Sequence, residues 1–236
     1  MEALSIAAFQ ELSNLHFNDQ SLLLRGLTHP SFLNEHPDQA TEDNQRLEFL
    51  GDAVIDFVSG EMLYHRFPEA SEGRLTRLRA ALVRTQTLAE LAIQTHINEA
   101  LLLGRGEEES GGRSRVGNLC AAFEAVIGAL YLDQGFQAVR DFVCPLFEAA
   151  LEEILRLELD KDPKSMLQEY CQAKLGITPI YQTVSSQGPD HAKEFTVVVI
   201  IGERRYAEGK GFSKQAAAQM AAKQALAILQ AEYGQP

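Results

Sequence analysis

The sequence predicts two joined domains of different classes, an all-helical domain over residues 1–159 and a smaller α-β-β-β-α domain over residues 164–236. In the first range, apolar residues recur with the spacing of buried helix faces. In the second range, three strand-like segments lie between two helix-like segments. The stretch between the domains, residues 160–163 with the sequence Asp-Lys-Asp-Pro, is short, charged and closed by proline, which is typical of a linker.

The composition is typical of a soluble globular protein. Hydrophobic residues make up 45% of the 236 residues and charged residues 23%, so the chain can bury a sizeable core. The sequence has no apolar run of about 18 residues and no basic segment followed by an apolar one, so we expect neither a membrane span nor a secretory signal. The three cysteines (Cys120, Cys144 and Cys171) lack zinc-site spacing, which favours reduced thiols in a cytoplasmic protein without a membrane partner.

The acidic charge is concentrated in the first domain. The net charge of −12 argues superficially against a nucleic-acid partner. However, residues 160–236 carry 9 basic and 8 acidic residues, whereas residues 1–159 carry 12 basic and 25 acidic residues. Any affinity of the second domain for nucleic acid must therefore come from the placement of its charges, and the acids of the first domain are candidates for metal binding.

The helices of the first domain are predicted from periodicity and stop signals. Phe67-Pro68 ends one helix, and Ser71 is the predicted N-cap of the next. A glycine-rich, polar stretch over residues 103–113 predicts a loop. The predicted helices span residues 4–15, 44–67, 71 onward, 85–103 with an apolar tail, Asn118–Leu132 and Phe136–Leu159.

Two carboxylates share one face of the helix that begins near residue 44. Glu48 and Asp52 are four residues apart, which places them about 40° apart around the helix axis. Apolar residues such as Phe49 and Leu50 cover much of the remaining circumference, which predicts a largely buried helix. Buried carboxylates repel each other unless a hard divalent cation compensates them, so the pair predicts a metal site. The alternative is a solvated acidic face.

Two further carboxylates lie on other predicted helices. Glu124 stands nearly alone in a very apolar helix, and a buried carboxylate is costly unless it is neutralised or bound. Glu124 is therefore the strongest single indication of a cation site, and the alternative is a protonated or hydrogen-bonded core glutamate. Glu72 lies in the first turn of its helix, where the helix dipole alone explains a carboxylate.

Each element of the second domain has its own signal. A helix begins at Lys164, and an alanine-rich helix over Lys214–Gln230 closes the chain. Between them, strands are predicted over Ile180–Val184, Glu194–Ile201 and Arg204–Gly209. The resulting order is α-β-β-β-α.

Residues 44–54, with the sequence Asn-Gln-Arg-Leu-Glu-Phe-Leu-Gly-Asp-Ala-Val, resemble the signature helix of bacterial ribonuclease III, a metal-dependent endonuclease of double-stranded RNA. The similarity extends to Leu-Thr-His at residues 27–29, to Glu-Gly-Arg-Leu-Thr at residues 72–76 and to the glycine-rich loop. The second domain resembles a double-stranded RNA-binding domain, a type that recognises the shape of about 16 base pairs. The resemblance implies cleavage of both strands to products with 5′ phosphates and short 3′ overhangs, in the processing of ribosomal and other structured RNA precursors.

The resemblance also implies roles for residues of the first domain. Glu48, Asp52 and Glu124 would hold Mg²⁺, for which Mn²⁺ is a substitute, and Glu72 would be an outer catalytic carboxylate. His29 is either a general base or, as is more common for a histidine beside Thr and Ser in a loop, a structural hydrogen-bond hub.

Contacts with RNA and with a second copy of the chain are implied in the same way. Phe49 and Leu50 would contact the second copy in a homodimer. The residues that would contact RNA are Gln45, Gln168, Glu169, His191, Lys210 and Lys214.

The sequence departs from the family pattern at three places. The family carries Asp three residues before Glu124, where this chain has Ala121, so one ligand oxygen is missing. Gln45 stands where the signature helix often carries Glu, and Lys214 is followed by Gln215 where the family has further basic residues. The first departure leaves two alternatives open, an active nuclease and a catalytically impaired RNA-binding dimer. The last departure predicts weaker RNA binding with a shallower salt dependence.

Overall fold

Helices make up the first part of the chain, and a three-stranded sheet between two helices makes up the second. The structure is a computed structural model and describes residues 3–38, 42–157, 162–189 and 193–234. Residues Met1–Asp160 and Lys161–Pro236 form separate units, each with its own apolar core. The predicted fold class, an all-helical domain followed by an α-β-β-β-α domain, is confirmed.

The first unit is built from α-helices and one short 3-10 helix. Their bounds are α1 Ile6–Ser13, α2 Gln20–Gly26, α3 Pro30–Glu35, α4 Gln45–Arg66, α5 Glu72–Leu82, α6 Thr85–Gln94, α7 Ile97–Ala100, α8 Arg105–Glu109, the 3-10 helix Gly112–Ser114 and α9 Val116–Arg156. Ser71 caps α5 as predicted, because its Oγ accepts the backbone N–H of Arg74 at 3.4 Å. The helix predicted over residues 85–103 is divided into α6 and α7, since His96 has a left-handed backbone with φ of 60°.

The glycine-rich stretch predicted as a loop contains α8 and the 3-10 helix instead. Glu35 stabilises the start of α8, because its Oε2 accepts the backbone N–H of Arg105 at 2.8 Å. Arg113 holds the rest of the stretch, since its guanidinium donates to both carboxylate oxygens of Glu108 and to the carbonyl oxygen of Asn98. Glu35 and Asn98 come from other parts of the chain. The composition of residues 103–113 alone therefore does not predict α8 or the 3-10 helix.

Helices α4 and α9 cross at two glycines in the centre of the first core. A Cβ atom added at Gly51 would overlap the carbonyl oxygen of Glu124, and one added at Gly128 would overlap the carbonyl oxygen of Leu47. The two backbones therefore touch, which only residues without a Cβ allow. The crossing brings α9 against the signature helix at the turn that carries Glu124.

Helix α9 is 41 residues long and is interrupted at Gly135, whose φ of 79° and ψ of −174° are not helical. The break lies between the two predicted helices, Asn118–Leu132 and Phe136–Leu159, although Leu159 itself lies outside the described residues. By length and composition α9 could cross a membrane, but 56% of its most apolar window is buried inside the protein. In the structure α9 serves as the central core helix of the first unit.

The signature helix α4 is less buried than the sequence predicted. Leu47 and Ile55 lie in the core, but 82% of Phe49 and 64% of Phe57 are exposed. The physical reason is that α4 packs mainly against α9, so residues on the rest of its circumference stay at the surface. The prediction of a largely buried helix was wrong for Phe49.

The second unit has the predicted order of elements. They are α10 Pro163–Leu175, β1 Ile180–Gln187, β2 Glu194–Ile201, β3 Arg204–Gly211 and α11 Lys214–Tyr233. The sheet is antiparallel in the order β1-β2-β3. Helix α10 begins one residue before the predicted start of the second domain, because Pro163 suits the first helical position and Asp162 caps it.

Small residues allow α11 to pack closely on the sheet. Ala217 and Ala221 are fully buried. A Cβ atom added at Gly209 of β3 would overlap the backbone of both residues. The alanine-rich composition of α11 thus reflects close packing on β3, and this packing fixes where the first residue of α11, Lys214, lies in the second unit.

Candidate functional site

Two carboxylates lie one turn apart on α4, Glu48 half-buried and Asp52 exposed. Burial is the largest cause that raises the pKa of the Glu48 carboxyl above its usual value, and the negative charges of Asp52 and Asp43 raise it further. Glu48 and Asp52 therefore repel each other, in line with their predicted spacing.

Glu124, the third predicted ligand, is half-buried on α9. Burial is the largest cause that raises its pKa to about 7, and the charges of Asp52 and Glu48 contribute in the same direction. The thiol of Cys120, one turn earlier, donates a hydrogen bond to Glu124 Oε1 at 3.4 Å, which partly offsets the shift. The crossing of α4 and α9 thus brings Glu48, Asp52 and Glu124 into one electrostatic group, which we call the carboxylate group.

The chemistry of the carboxylate group fits a hard divalent cation. Within the described residues, no three His, Cys, Asp or Glu side chains converge closely enough to enclose a metal ion as they stand. The three carboxylates nevertheless supply the oxygen donors that Mg²⁺ prefers, and the charge of Asp52 disfavours ionisation of Glu48 and Glu124. A cation would remove this repulsion, so the donor set fits a metal around which the side chains close on binding.

Ala121 occupies the position one turn before Glu124 and offers only a methyl group. The neighbouring Cys120 is buried and contacts Glu124 instead. Burial, followed by the charge of Glu124, raises the pKa of the Cys120 thiol to about 12, so the thiol is a neutral hydrogen-bond donor. This contact was not predicted, although the spacing of four residues within one helix indicates it.

Glu72 is the first residue of α5 and is exposed. It lines a cleft together with Gly60 of α4 and Arg79 of α5. Glu72 is not among the charges that shift the pKa values of Glu48 and Glu124. The structure does not join Glu72 to the carboxylate group, and its role as an outer catalytic carboxylate stays a prediction.

His29 connects α3 to α8 through hydrogen bonds. Its Nδ1 accepts the backbone N–H of Ser31 at 3.1 Å and lies 2.8 Å from Ser31 Oγ. Ser31 Oγ in turn accepts the backbone N–H of Gly104 at 2.9 Å. Nδ1 accepts the hydrogen bond from the Ser31 backbone, and burial lowers the pKa of His29. These contacts favour the structural hub over the general base.

Glu107 of α8 holds the start of α9. Its Oε1 accepts a hydrogen bond from Asn118 Nδ2 at 2.7 Å and forms an ion pair with Arg115. Asn118 Nδ2 also donates to the carbonyl oxygen of Gly112 at 3.0 Å. The sequence analysis assigned Glu107 to a loop and gave it no role. An acidic run followed by arginines could have indicated the ion pair with Arg115.

The candidate RNA contacts that the structure describes are all at the surface. They are Gln45 at the start of α4, Gln168 and Glu169 on α10, Lys210 near the end of β3 and Lys214 at the start of α11. His191 lies outside the described residues. The second unit therefore presents its described candidates from three elements, α10, β3 and α11.

Exposed apolar side chains surround the two candidate dimer contacts. Phe49 and Leu50 line a cleft with Leu132, and Leu50 also lines an apolar cleft with Phe57 and Phe136. Leu132 is 53% exposed and Phe57 is 64% exposed. We call these five residues the Phe49 patch. Contiguous exposed apolar surface of this kind marks an interaction surface.

Both units match known protein families. Residues 19–150 match the family model described as ribonuclease-III-like, and residues 163–229 match the double-stranded RNA binding motif. A relative from Roseiflexus sp., named Ribonuclease 3, is 51% identical over 216 residues, which cover 91% of this chain and 91% of the relative. The Ribonuclease 3 of Nitratiruptor sp. is 45% identical over 223 residues, which cover 94% of this chain and 96% of the relative.

A solved structure is similar as well. The nuclease domain of ribonuclease III from Campylobacter jejuni superimposes with a TM-score of 0.57 and 38% identity, covering 62% of this chain and 98% of that chain. That structure is described as showing flexibility in a region involved in dimer formation. A second structure of the same domain gives a TM-score of 0.56 and covers 61% of this chain and 95% of that chain.

Proposed function

The chain belongs to the ribonuclease III family of metal-dependent endonucleases that cleave double-stranded RNA, and from this premise we propose how its residues divide that activity. We assign residues 1–159 to catalysis and dimerisation, residues 160–163 to a linker, and residues 164–236 to binding of duplex RNA. The proposed substrates are precursors of ribosomal and other structured RNAs in the cytoplasm.

The carboxylate group is the observation that supports the proposed catalytic centre. Glu48, Asp52 and Glu124 would hold Mg²⁺, with Mn²⁺ as a substitute, and the charge of Asp52 raises the pKa values of the Glu48 and Glu124 carboxyls. A divalent cation held there supplies activation of the attacking water and stabilisation of charge on the leaving 3′ oxygen. The chain itself orients the ligands, because the α4–α9 crossing positions their backbones and Cys120 holds one oxygen of Glu124.

RNA contacts are proposed on both units. Gln45 would contact RNA near the carboxylate group, and Glu72 would act outside that group as a supporting carboxylate. In the second unit, Lys210 and Lys214 would contact phosphates. The contacts from α10 (Gln168 and Glu169) and from His191 would read the minor grooves of the duplex.

A homodimer is proposed because a duplex has two strands to cut and each chain carries one carboxylate group. The Phe49 patch is the surface that supports it, since 82% of Phe49 is exposed in the single chain. Burial of large apolar side chains stabilises such an interface. The two centres of the dimer would each cut one strand and leave 5′ phosphates and short 3′ overhangs.

Ala121 favours a second candidate function, a catalytically impaired dimer that binds duplex RNA. The methyl group of Ala121 supplies no ligand where the family carries Asp. Water can fill a vacant position around Mg²⁺, so the centre can retain activity with a lower metal affinity. Three retained carboxylates make the active nuclease the better supported of the two functions.

The deciding experiment is cleavage of a long duplex RNA by the purified full chain in Mg²⁺. We expect cleavage that stops in EDTA and that falls at least about 100-fold in Glu124→Gln, because this variant loses an anionic ligand. Ala121→Asp is expected to cut at lower Mg²⁺ concentration than the unsubstituted chain, because it adds an oxygen ligand.

Glu152→Gln is the matched control, because Glu152 is an exposed glutamate of the same helix α9. It should cut like the unsubstituted chain. If the unsubstituted chain binds duplex RNA but does not cut it, and Ala121→Asp does cut, the impaired dimer is the correct function.

A further inference from the structure

The carboxylate of Glu124 has one polar neighbour on its own helix. A helical side chain lies next to those three and four residues away, which for Glu124 are Cys120, Ala121, Ile127 and Gly128. The thiol of Cys120 donates a hydrogen bond to Glu124 Oε1 at 3.4 Å. The other three neighbours have no polar side-chain atom. Within α9, all of which the structure describes, Cys120 is therefore the neighbour that can orient this carboxylate.

Cys120 is held in the core beside the carboxylate group. Only 8% of its surface is exposed, so close packing fixes the position of its sulfur. Burial, followed by the charges of Glu124, Glu48 and Asp52, raises the pKa of its thiol, which shows that the thiol lies within electrostatic reach of all three carboxylates. A fixed donor at Oε1 leaves the second oxygen, Glu124 Oε2, for a cation.

We propose that Cys120 is a positioning residue of the metal centre, which orients Glu124 so that its second oxygen meets the cation. A glutamate side chain loses rotamer freedom when it binds a metal, and a carboxylate that is already oriented loses less. The effect is larger in this chain because Ala121 supplies no ligand, so each remaining carboxylate contributes a greater share of the affinity. The inference rests on the proposed function of the carboxylate group.

The test is the affinity of the purified full chain for Mn²⁺ in the absence of RNA. The electron paramagnetic resonance signal of free aqueous Mn²⁺ gives the bound fraction over a titration, so the readout does not depend on cleavage. Cys120→Ala should weaken binding about tenfold, because loss of a hydrogen-bond partner of a metal ligand typically costs about 10–100-fold in affinity. Cys120→Ser also removes the sulfur but keeps a donor, so it should bind Mn²⁺ nearly as tightly as the unsubstituted chain.

Cys144→Ala is the matched control, because Cys144 is a second cysteine of α9 and none of the residues whose charges act on its thiol belongs to the carboxylate group. It should bind Mn²⁺ like the unsubstituted chain. The inference is overturned if Cys120→Ala binds with unchanged affinity, if Cys120→Ser is weakened as much as Cys120→Ala, or if Cys144→Ala shows the same loss.

Glu124→Gln separates this inference from the proposed metal centre. If Glu124→Gln weakens Mn²⁺ binding but Cys120→Ala does not, the metal centre stands and Cys120 has no positioning role. If Glu124→Gln binds Mn²⁺ as tightly as the unsubstituted chain, the proposed centre and the inference are both overturned.

Discussion

At the scale of single residues, Glu124 links the charge of the proposed catalytic centre to the stability of the fold. Burial, with smaller contributions from Asp52 and Glu48, raises its pKa from the usual 4.5 to about 7. Without metal, the folded state therefore holds this proton more tightly than the unfolded state does. The contribution of Glu124 to the free energy of unfolding therefore decreases as the pH rises from about 4.5 to about 7.

Glu124→Gln removes this titration. In EDTA at about pH 8 we expect the variant to be more stable than the unsubstituted chain, on the order of 1 kcal/mol after allowance for solvent screening. At about pH 4 both side chains are neutral, so the difference should disappear. Urea unfolding followed by circular dichroism at the two pH values measures the effect. Glu152→Gln serves as the reference for removing an exposed carboxylate from the same helix. If Glu124→Gln and the unsubstituted chain are equally stable at about pH 8, the raised pKa of Glu124 is contradicted.

At the scale of elements, the two glycines of α4 have opposite surroundings. A Cβ atom at Gly51 would overlap the carbonyl oxygen of Glu124, whereas nothing lies within 4 Å of a Cβ atom at Gly60. The first glycine is required by the crossing with α9, and the second only adds flexibility to the unfolded chain. The same helix thus provides both a test and its control.

We expect Gly51→Ala to destabilise the first unit by about 1–3 kcal/mol or more, because α4 and α9 must move apart. Gly60→Ala should stabilise it by about 0.5–1 kcal/mol, because alanine is favoured in a helix interior. Thermal and urea unfolding measure both changes. Cleavage should also fall in Gly51→Ala, since Glu124 moves with α9. If the Gly51→Ala chain is as stable as the Gly60→Ala chain, the close backbone contact between α4 and α9 at Gly51 is contradicted.

At the scale of the whole molecule, the Phe49 patch predicts the assembly state. Phe49→Ser should convert the proposed homodimer to a monomer at micromolar concentration, because it removes a large apolar side chain from the proposed interface. Sedimentation or light scattering gives the molar mass. Phe212→Ser is the control, because Phe212 of the second unit is also largely exposed, at 78%. An unsubstituted chain that is monomeric, or a Phe49→Ser chain that stays dimeric, would rule out this interface.

Features that depend only on neighbours along the chain could be predicted from the amino-acid sequence. The spacing of Glu48 and Asp52 places them on one face of α4 in any fold that keeps this helix. Ser71 caps α5 because a cap needs only the next few residues. The order of strands and helices in the second unit likewise follows from local periodicity and turn residues.

Features that join distant parts of the chain could not be predicted in this way, because they depend on how the helices pack. Glu35 turns a glycine-rich stretch into helix α8, and His29 acts as a hub because Ser31 reaches Gly104. Gly51 brings Glu124 to the turn of α4 between Glu48 and Asp52. Such contacts depend on how the helices pack, and packing is a property of pairs of surfaces that local residue patterns do not specify.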